Sequence, residues 1–274
     1  MAGHFRAFSF VDRLTSVQPG VSVRGQYAIP AGLAEFPGSL IAEAVGQLAA
    51  WAAMAKFDFQ VRPVAGLAGK VEFFTAARPG QTLELAAEIE TAELDAIAYT
   101  GAARVNGQEI LRLENCVGPM LPGEEFDDPV ALRARFALLQ TVGAAPGAFA
   151  GVPAMPLNRA PGEFGKIARA TFSVPTAAPF FDDHFPRRPV FPGTLLMNLN
   201  LQLAATLAAE IPGRWRLAAV QDVKLRGFIP PGETLELTAR LGEVDSASAL
   251  ILVETRNAKK LLGSARVRVT LERP

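Results

Sequence analysis

The sequence predicts an α+β protein built from two copies of one unit, each a buried helix followed by extended segments that read as an antiparallel meander. Two matched pairs of segments carry this expectation. FPGSL at Phe36–Leu40 is repeated as FPGTL at Phe191–Leu195, and PGQTLEL at Pro79–Leu85 as PGETLEL at Pro231–Leu237. The shifts are 155 and 152 residues, nearly constant and in the same order, as a duplication requires. Each FPG also stands before an apolar run of helical length.

In chain order, residues 5–12 and 21–27 are mixed apolar segments, an entry turn and a first strand. Pro30 to Gly38 is turn-rich and leads into a helix over Ser39–Lys56, apolar on nearly every side and so surrounded by other elements. Strands follow at Lys70–Thr75, Thr82–Thr91, Ile97–Val105 and Glu109–Val117, with TLELAAEIE alternating as a half-buried strand does. ARPG and VNG supply the turns. DDPVALRARFALLQ reads as a short amphipathic helix, with Asp128 as N-cap and Pro129 at the first helical position. The Gly/Ala/Pro-rich stretch after it reads as a connection that travels some distance. From about Lys166 the order restarts: a strand IARATFSV, the turn-rich APFFDDHFPRRPVFPG, and a second apolar helix at Thr194–Glu210. Strands at Ala218–Arg226, Thr234–Leu241, Ala249–Arg256 and Leu262–Leu271 complete the second unit.

Composition narrows the function classes. Lys plus Arg and Asp plus Glu balance at 27 each, against a strongly basic nucleic-acid surface. Cys116 is the single cysteine, so no internal disulfide forms, compatible with a cytoplasmic location. The N-terminus lacks an apolar h-region and is expected not to be a signal peptide, and no run approaches the ~18 apolar residues of a membrane span. Two histidines and one cysteine at unrelated spacings do not make a typical zinc site. No P-loop, dinucleotide fingerprint or nucleophile elbow is present.

The candidate chemistry is unevenly divided between the copies. Each Pro-Gly precedes a buried helix, whose free N–H groups can hold a polarised carbonyl oxygen or can simply start the helix. Glu43 and Gln47 share one face of the first helix. A desolvated Glu43 favours its protonated form and suits proton donation, whereas a helix-end glutamate reaching solvent has no such role. The second helix carries Asn198 and Gln202 at the equivalent positions. His184 lies nine residues before Gly193, and the same count back from Gly38 reaches Ile29. Phe185, Pro186, Pro189 and Pro192 stiffen the turn around His184, where a neutral imidazole can act as a base near pH 7. His4 has no such setting and reads as part of a frayed N-terminus.

At these residues the chain resembles the 3-hydroxyacyl-[acyl-carrier-protein] dehydratases of fatty-acid synthesis. HFPRRPVFPGTLL resembles that family's active-site turn, and EFPGSLIAEAVGQLAAW its central helix with the catalytic carboxylate. The resemblance implies a double hotdog: two central helices, each wrapped by an antiparallel β-sheet, the sheets joined edge to edge as a pseudo-dimer. The units would be residues 1–121, carrying the acid, and 160–274, carrying the histidine, with 122–159 as a connecting helix and linker. In that family each site takes its histidine from one unit and its acid from the partner's helix. One composite site, His184 with Glu43, is then whole, and the other, Ile29 with Asn198, is dead.

The implied reaction is loss of water from a 3-hydroxyacyl thioester of acyl-carrier protein or coenzyme A, giving the trans-2-enoyl thioester without a cofactor. His184 would take the proton, Glu43 donate one, and the Gly193 amide hold the thioester oxygen. Gln47 would orient Glu43, the Val190 carbonyl would orient the imidazole, and Phe185, Pro192 and Asn198 would touch substrate. Arg187 stands where the family usually has glycine. Arg187, Arg188, Lys224 and Arg226 are either a contact for an acidic carrier protein or phosphopantetheine arm, or an ordinary solvated basic face. A hotdog thioesterase and a non-catalytic acyl-binding module are the alternatives. A further homo-oligomer of the pseudo-dimer is left open.

Overall fold

A computed structural model describes residues 5–272; His4 lies outside the described residues. The elements are β1 (Arg13–Gln18), β2 (Ser22–Ala28), α1 (Gly38–Lys56), β3 (Val61–Pro63), β4 (Leu67–Phe73), β5 (Thr82–Ala92), β6 (Ala96–Val105) and β7 (Gln108–Pro122). They continue with α2 (Pro129–Gln140), β8 (Asn158–Glu163), β9 (Ile167–Ser173), α3 (Gly193–Ala208), β10 (Trp215–Leu225), β11 (Thr234–Val244), β12 (Ser248–Arg256) and β13 (Leu261–Leu271). Short 3₁₀ turns occupy Gly123–Glu125 and Pro179–Asp182.

The strands run antiparallel in the order β1-β2-β5-β6-β7-β4-β10-β13-β12-β11-β9-β8, with β3 paired to β7 off this path. Read outward from the β4–β10 seam, the two sides repeat each other strand for strand. At the seam Val71 lies opposite Val220. The repeat extends to side chains: Tyr27 and Phe36 sit 5.6 Å apart at 35°. Phe172 and Phe191, the corresponding residues of the second half, sit 5.7 Å apart at 38°.

α1 packs on β2, β5, β6 and β7, α3 on β9 to β13, and the two helices touch. Leu40, Ile41, Val45, Leu48 and Met54 of α1 are buried, as are Leu195, Leu196, Leu199 and Leu203 of α3. Each such side chain contributes roughly 1.5–3 kcal/mol of apolar burial. Both helices begin at a glycine because a neighbour leaves no room for a Cβ. One at Gly38 would come within 2.6 Å of the Phe73 ring, and one at Gly193 would collide with Leu225.

The expected helices and the eight expected strands of the two meanders are present, as is the strand before each helix. β1, β3 and β8 are additions. β1 (RLTSVQ) has one buried residue and β8 (NRAPGE) none, because both are edge strands whose chemistry is that of exposed chain. β3 is three residues long, too short for an alternation to register. The connecting segment proves well anchored. Asp128 caps α2 by accepting from the Val130 N–H at 3.0 Å. Phe136 packs on Trp51 and Phe59, and Phe149 is buried against Phe10 and Phe36. Among the described residues no helix is long and apolar enough to cross a membrane.

Candidate active site

A cavity of about 220 Å³ lies where α1, the start of α3 and the seam strands β4 and β10 converge. Its wall includes Glu43 and Gln47 of α1, His184 and Phe185 of the turn before α3, and Gly193 and Thr194 at the first turn of α3. Glu43 belongs to the first half of the chain and His184 to the second. Most of the remaining wall is apolar: Ala50, Trp51, Met54, Leu132, Met197, Leu201, Val220 and Leu225.

The turn bearing His184 is fixed from both ends. The Val190 N–H donates to the His184 carbonyl at 2.9 Å, and the His184 N–H donates to Phe180 O at 2.9 Å. Phe185 and Val190 pack on Phe126, which follows β7 of the first half. The imidazole Nδ1 lies 2.8 Å from Val190 O. A carbonyl only accepts, so Nδ1 carries the proton and Nε2 keeps its lone pair. Burial pushes the His184 pKa below its usual value. Glu43 and the Val190 carbonyl act against this, and Arg62 acts with it. His184 is therefore neutral at pH 7.

Glu43 is held at both oxygens. Gln47 Nε2 donates to Oε1 at 2.9 Å, and Thr194 Oγ1 donates to Oε2 at 2.7 Å. Gln47 is itself pinned: its Oε1 accepts from the Phe10 N–H at 2.8 Å and its Nε2 donates to Phe8 O at 2.9 Å. Gly193 is the first residue of α3, where backbone N–H groups lack helical acceptors and the helix dipole favours negative charge.

Pro192 and Asn198 lie outside the cavity wall. Asn198 instead accepts from Ser39 Oγ at 3.3 Å. That pair mirrors Glu43 and Thr194, with the serine after Gly38 in place of the threonine after Gly193. Arg187 and Arg188 are engaged within the chain, Arg187 with Glu124 O at 3.0 Å and Arg188 with Glu125 at 2.9 Å.

The wall residues that sequence reasoning missed include Thr194, Asp183, Arg62 and Tyr99. Thr194 left a signal, since a hydroxyl residue follows the glycine in both FPG copies. Asp183 accepts from the N–H groups of Phe5 and Phe8 and from Ser9 Oγ, tying the N-terminal segment beside His184. Arg62 pairs with Asp127. Tyr99 bonds the Cys116 thiol; burial, only partly offset by that bond, pushes the thiol up to about 12, so it stays protonated and unreactive. Among the described residues no group of side chains suits a metal ion.

A model of the ApeI-like family, described as ApeI dehydratase, matches residues 163–261. Curated relatives include 3-hydroxyacyl-[acyl-carrier-protein] dehydratases FabZ. The Rickettsia felis protein is 33% identical over 86 residues, 30% of this chain and 59% of that one. The Caldicellulosiruptor bescii protein is 32% identical over 100 residues, 34% of this chain and 71% of that one. Among solved structures, a putative oleoyl thioesterase from Lactobacillus plantarum superposes with a TM-score of 0.62 at 11% identity, covering 92% of this chain and 97% of that one. A hot dog fold protein of unknown function from Alicyclobacillus acidocaldarius gives 0.54 at 14% identity, covering 97% and 98%. At these identities the likeness shows the fold alone, which is the hotdog. On its matches to the curated relatives, the chain belongs to the 3-hydroxyacyl-[acyl-carrier-protein] dehydratase family.

Proposed function

We propose that the protein is a 3-hydroxyacyl-thioester dehydratase working at one composite site between two fused hotdog units. The units are residues 1–121 and 160–274, each with its own central helix, joined through 122–159. The substrate is an acyl chain on a carrier protein or coenzyme A. The observation that carries this reading is a single cavity walled by His184 from one half, Glu43 from the other and the N-terminus of α3.

In the proposed reaction, Nε2 of His184 takes the proton from the carbon next to the thioester carbonyl. The charge that develops on the carbonyl oxygen is met by the Gly193 N–H, a contribution of roughly 3–4 kcal/mol where such a donor is preorganised. Glu43 delivers a proton to the 3-hydroxyl, the C3–O bond breaks, water leaves and the C2=C3 double bond remains. Return of the proton from His184 to Glu43 resets the site. Gln47 and Thr194 hold the Glu43 carboxyl, and Val190 holds the imidazole. From Glu43 to Met54 the cavity follows α1 for about 16 Å at 1.5 Å per residue, an apolar length suited to an acyl tail.

The test is to supply a panel of 3-hydroxyacyl thioesters while following enoyl product and free thiol together. Enoyl product without thiol release is expected. Thiol release without enoyl product would move the protein to the thioesterases, and acyl binding without turnover would make it a binding module.

A further inference from the structure

A largely buried cation sits near the candidate base, with no role in the chemistry described above. Arg62, on the short strand β3, is 17% exposed and ion-paired to Asp127, which is 1% exposed. Its guanidinium lies over the Phe185 ring at 4.3 Å from the centroid. The imidazole is also stacked on Phe185, with centroids 4.1 Å apart and planes 23° from parallel. Three planar groups, guanidinium, phenyl and imidazole, thus form a chain from the first half of the protein into the second. Among the described residues β3 has no counterpart in the second half; it pairs with β7 off the repeated strand order.

We propose that Arg62 is a positioning residue, which through the Phe185 ring fixes the plane of the His184 imidazole and so aims Nε2 into the cavity. The inference rests on the reading of His184 as the base of a dehydratase. Three observations support it. Arginine stacks on an aromatic face more favourably than lysine, so the guanidinium restrains the ring that restrains the imidazole. Asp127 accepts a charge-assisted hydrogen bond from the guanidinium, which makes the arrangement rigid rather than adaptable. The Phe185 backbone neighbourhood is fixed too, because Phe126 packs edge-on to Phe185 at 5.1 Å and its carbonyl accepts from the Arg187 N–H.

The position also has an electrostatic effect. The charged groups lining the same cavity are Glu43 from α1, Arg62 from β3, Asp127 from the segment before α2, Arg135 from α2 and Asp183 next to the ring. Of these, Arg62 opposes a positive charge on His184 and Glu43 favours it. Loss of Arg62 therefore both frees the ring and eases its protonation.

The experiment uses the full chain. Arg62→Met alone would take the guanidinium away from the buried Asp127 carboxylate, so it is made with Asp127→Leu, which replaces the ion pair with apolar side chains. We expect kcat to fall about 10-fold with KM within about 2-fold, the pattern of a misaimed group rather than a lost contact. Arg62→Lys, which keeps the charge but not the planar stack, should restore only part of the loss. NMR titration of the His184 ring, which needs no substrate, should show Arg62→Met/Asp127→Leu titrating at higher pH than the parent protein. Phe185→Leu, which removes the middle of the chain, should reproduce the kcat loss. An unchanged kcat in folded Arg62→Met/Asp127→Leu protein, or a raised KM with kcat intact, would overturn the proposal. His184→Ala separates the two readings: if it keeps activity the dehydratase assignment fails, while the ring titration still reports on Arg62.

Discussion

Gly38-Ser39 facing Asn198 and Gly193-Thr194 facing Glu43 are the same construction made twice. In both, a helix begins at a glycine packed under a seam-strand side chain, and a hydroxyl on the next residue bonds a side chain of the opposing helix. They differ in what was placed on the scaffold. Beside Gly193 stand an imidazole, a carboxyl and a cavity. On the Gly38 side, Ile29 is buried where the histidine would be. Phe10, Tyr27 and Phe36 cluster on this side, where Phe149 arrives from the connecting segment and meets Phe10 at 5.0 Å and 90°. The glutamine one turn on differs too: Gln47 anchors the N-terminal segment, whereas Gln202 is exposed. What distinguishes the Gly193 side is a pair of titratable groups, Glu43 and His184, on the wall of a cavity.

The comparison can be broken most sharply at the acid and base. His184→Ala and Glu43→Gln should each cost about 10²–10⁴-fold in kcat, the usual weight of general acid–base help. Ile29→Ala and Asn198→Ala should leave kcat within about 2-fold, allowing for experimental scatter in such variants. A comparable loss in Asn198→Ala would show that the second position is in use. Next in size is Phe149→Ala, a large-to-small change in the packed side. It should lower unfolding stability by about 3 kcal/mol in chemical denaturation while leaving kcat per folded molecule unchanged.

Smaller again are the glycines. Gly38→Ala and Gly193→Ala should each cost about 1–3 kcal/mol through overpacking against Phe73 and Leu225. Only Gly193→Ala should also depress kcat, and pairing it with Leu225→Ala should recover stability. Equal kcat losses at the two glycines would remove the functional distinction between them.

The gentlest probe is pH. His184 is held below 6.5 by burial, so falling pH protonates the unfolded chain before the native one, and its contribution to stability is lost below 6.5. Asp12, raised to about 6 chiefly by burial, has the opposite sign: what it contributes is present below 3.8 and lost as pH rises towards 6. His184→Gln should therefore flatten the loss of Tm between pH 6.5 and 5, and Asp12→Asn should deepen it. In the parent protein the acid limb of kcat/KM should fall below 6.5.

Much of this arrangement was legible in the residues. The in-register FPG and PG-TLEL pairs announced the duplication, and the asymmetry of His184 and Glu43 against Ile29 and Asn198 could be counted directly. Thr194 was legible in hindsight, because the repeat keeps a hydroxyl after each glycine. Arg62 was not. It sits on a three-residue strand, its ring partner is 123 positions away, and nothing local distinguishes it from a surface arginine. β1 and β8 escaped for a related reason: edge strands earn their place through hydrogen bonds to a neighbour, and their side chains carry no alternation to read.

The seam between β4 and β10 has a consequence for how the protein behaves when scarce. Where two separate subunits complete each other's sites, dilution dissociates them and activity falls with concentration. Here the two contributors are covalently continuous, so each meets the other at a local concentration set by the connecting segment rather than by the number of molecules present. If His184 and Glu43 form the proposed site, its completeness is a property of the single molecule rather than of concentration.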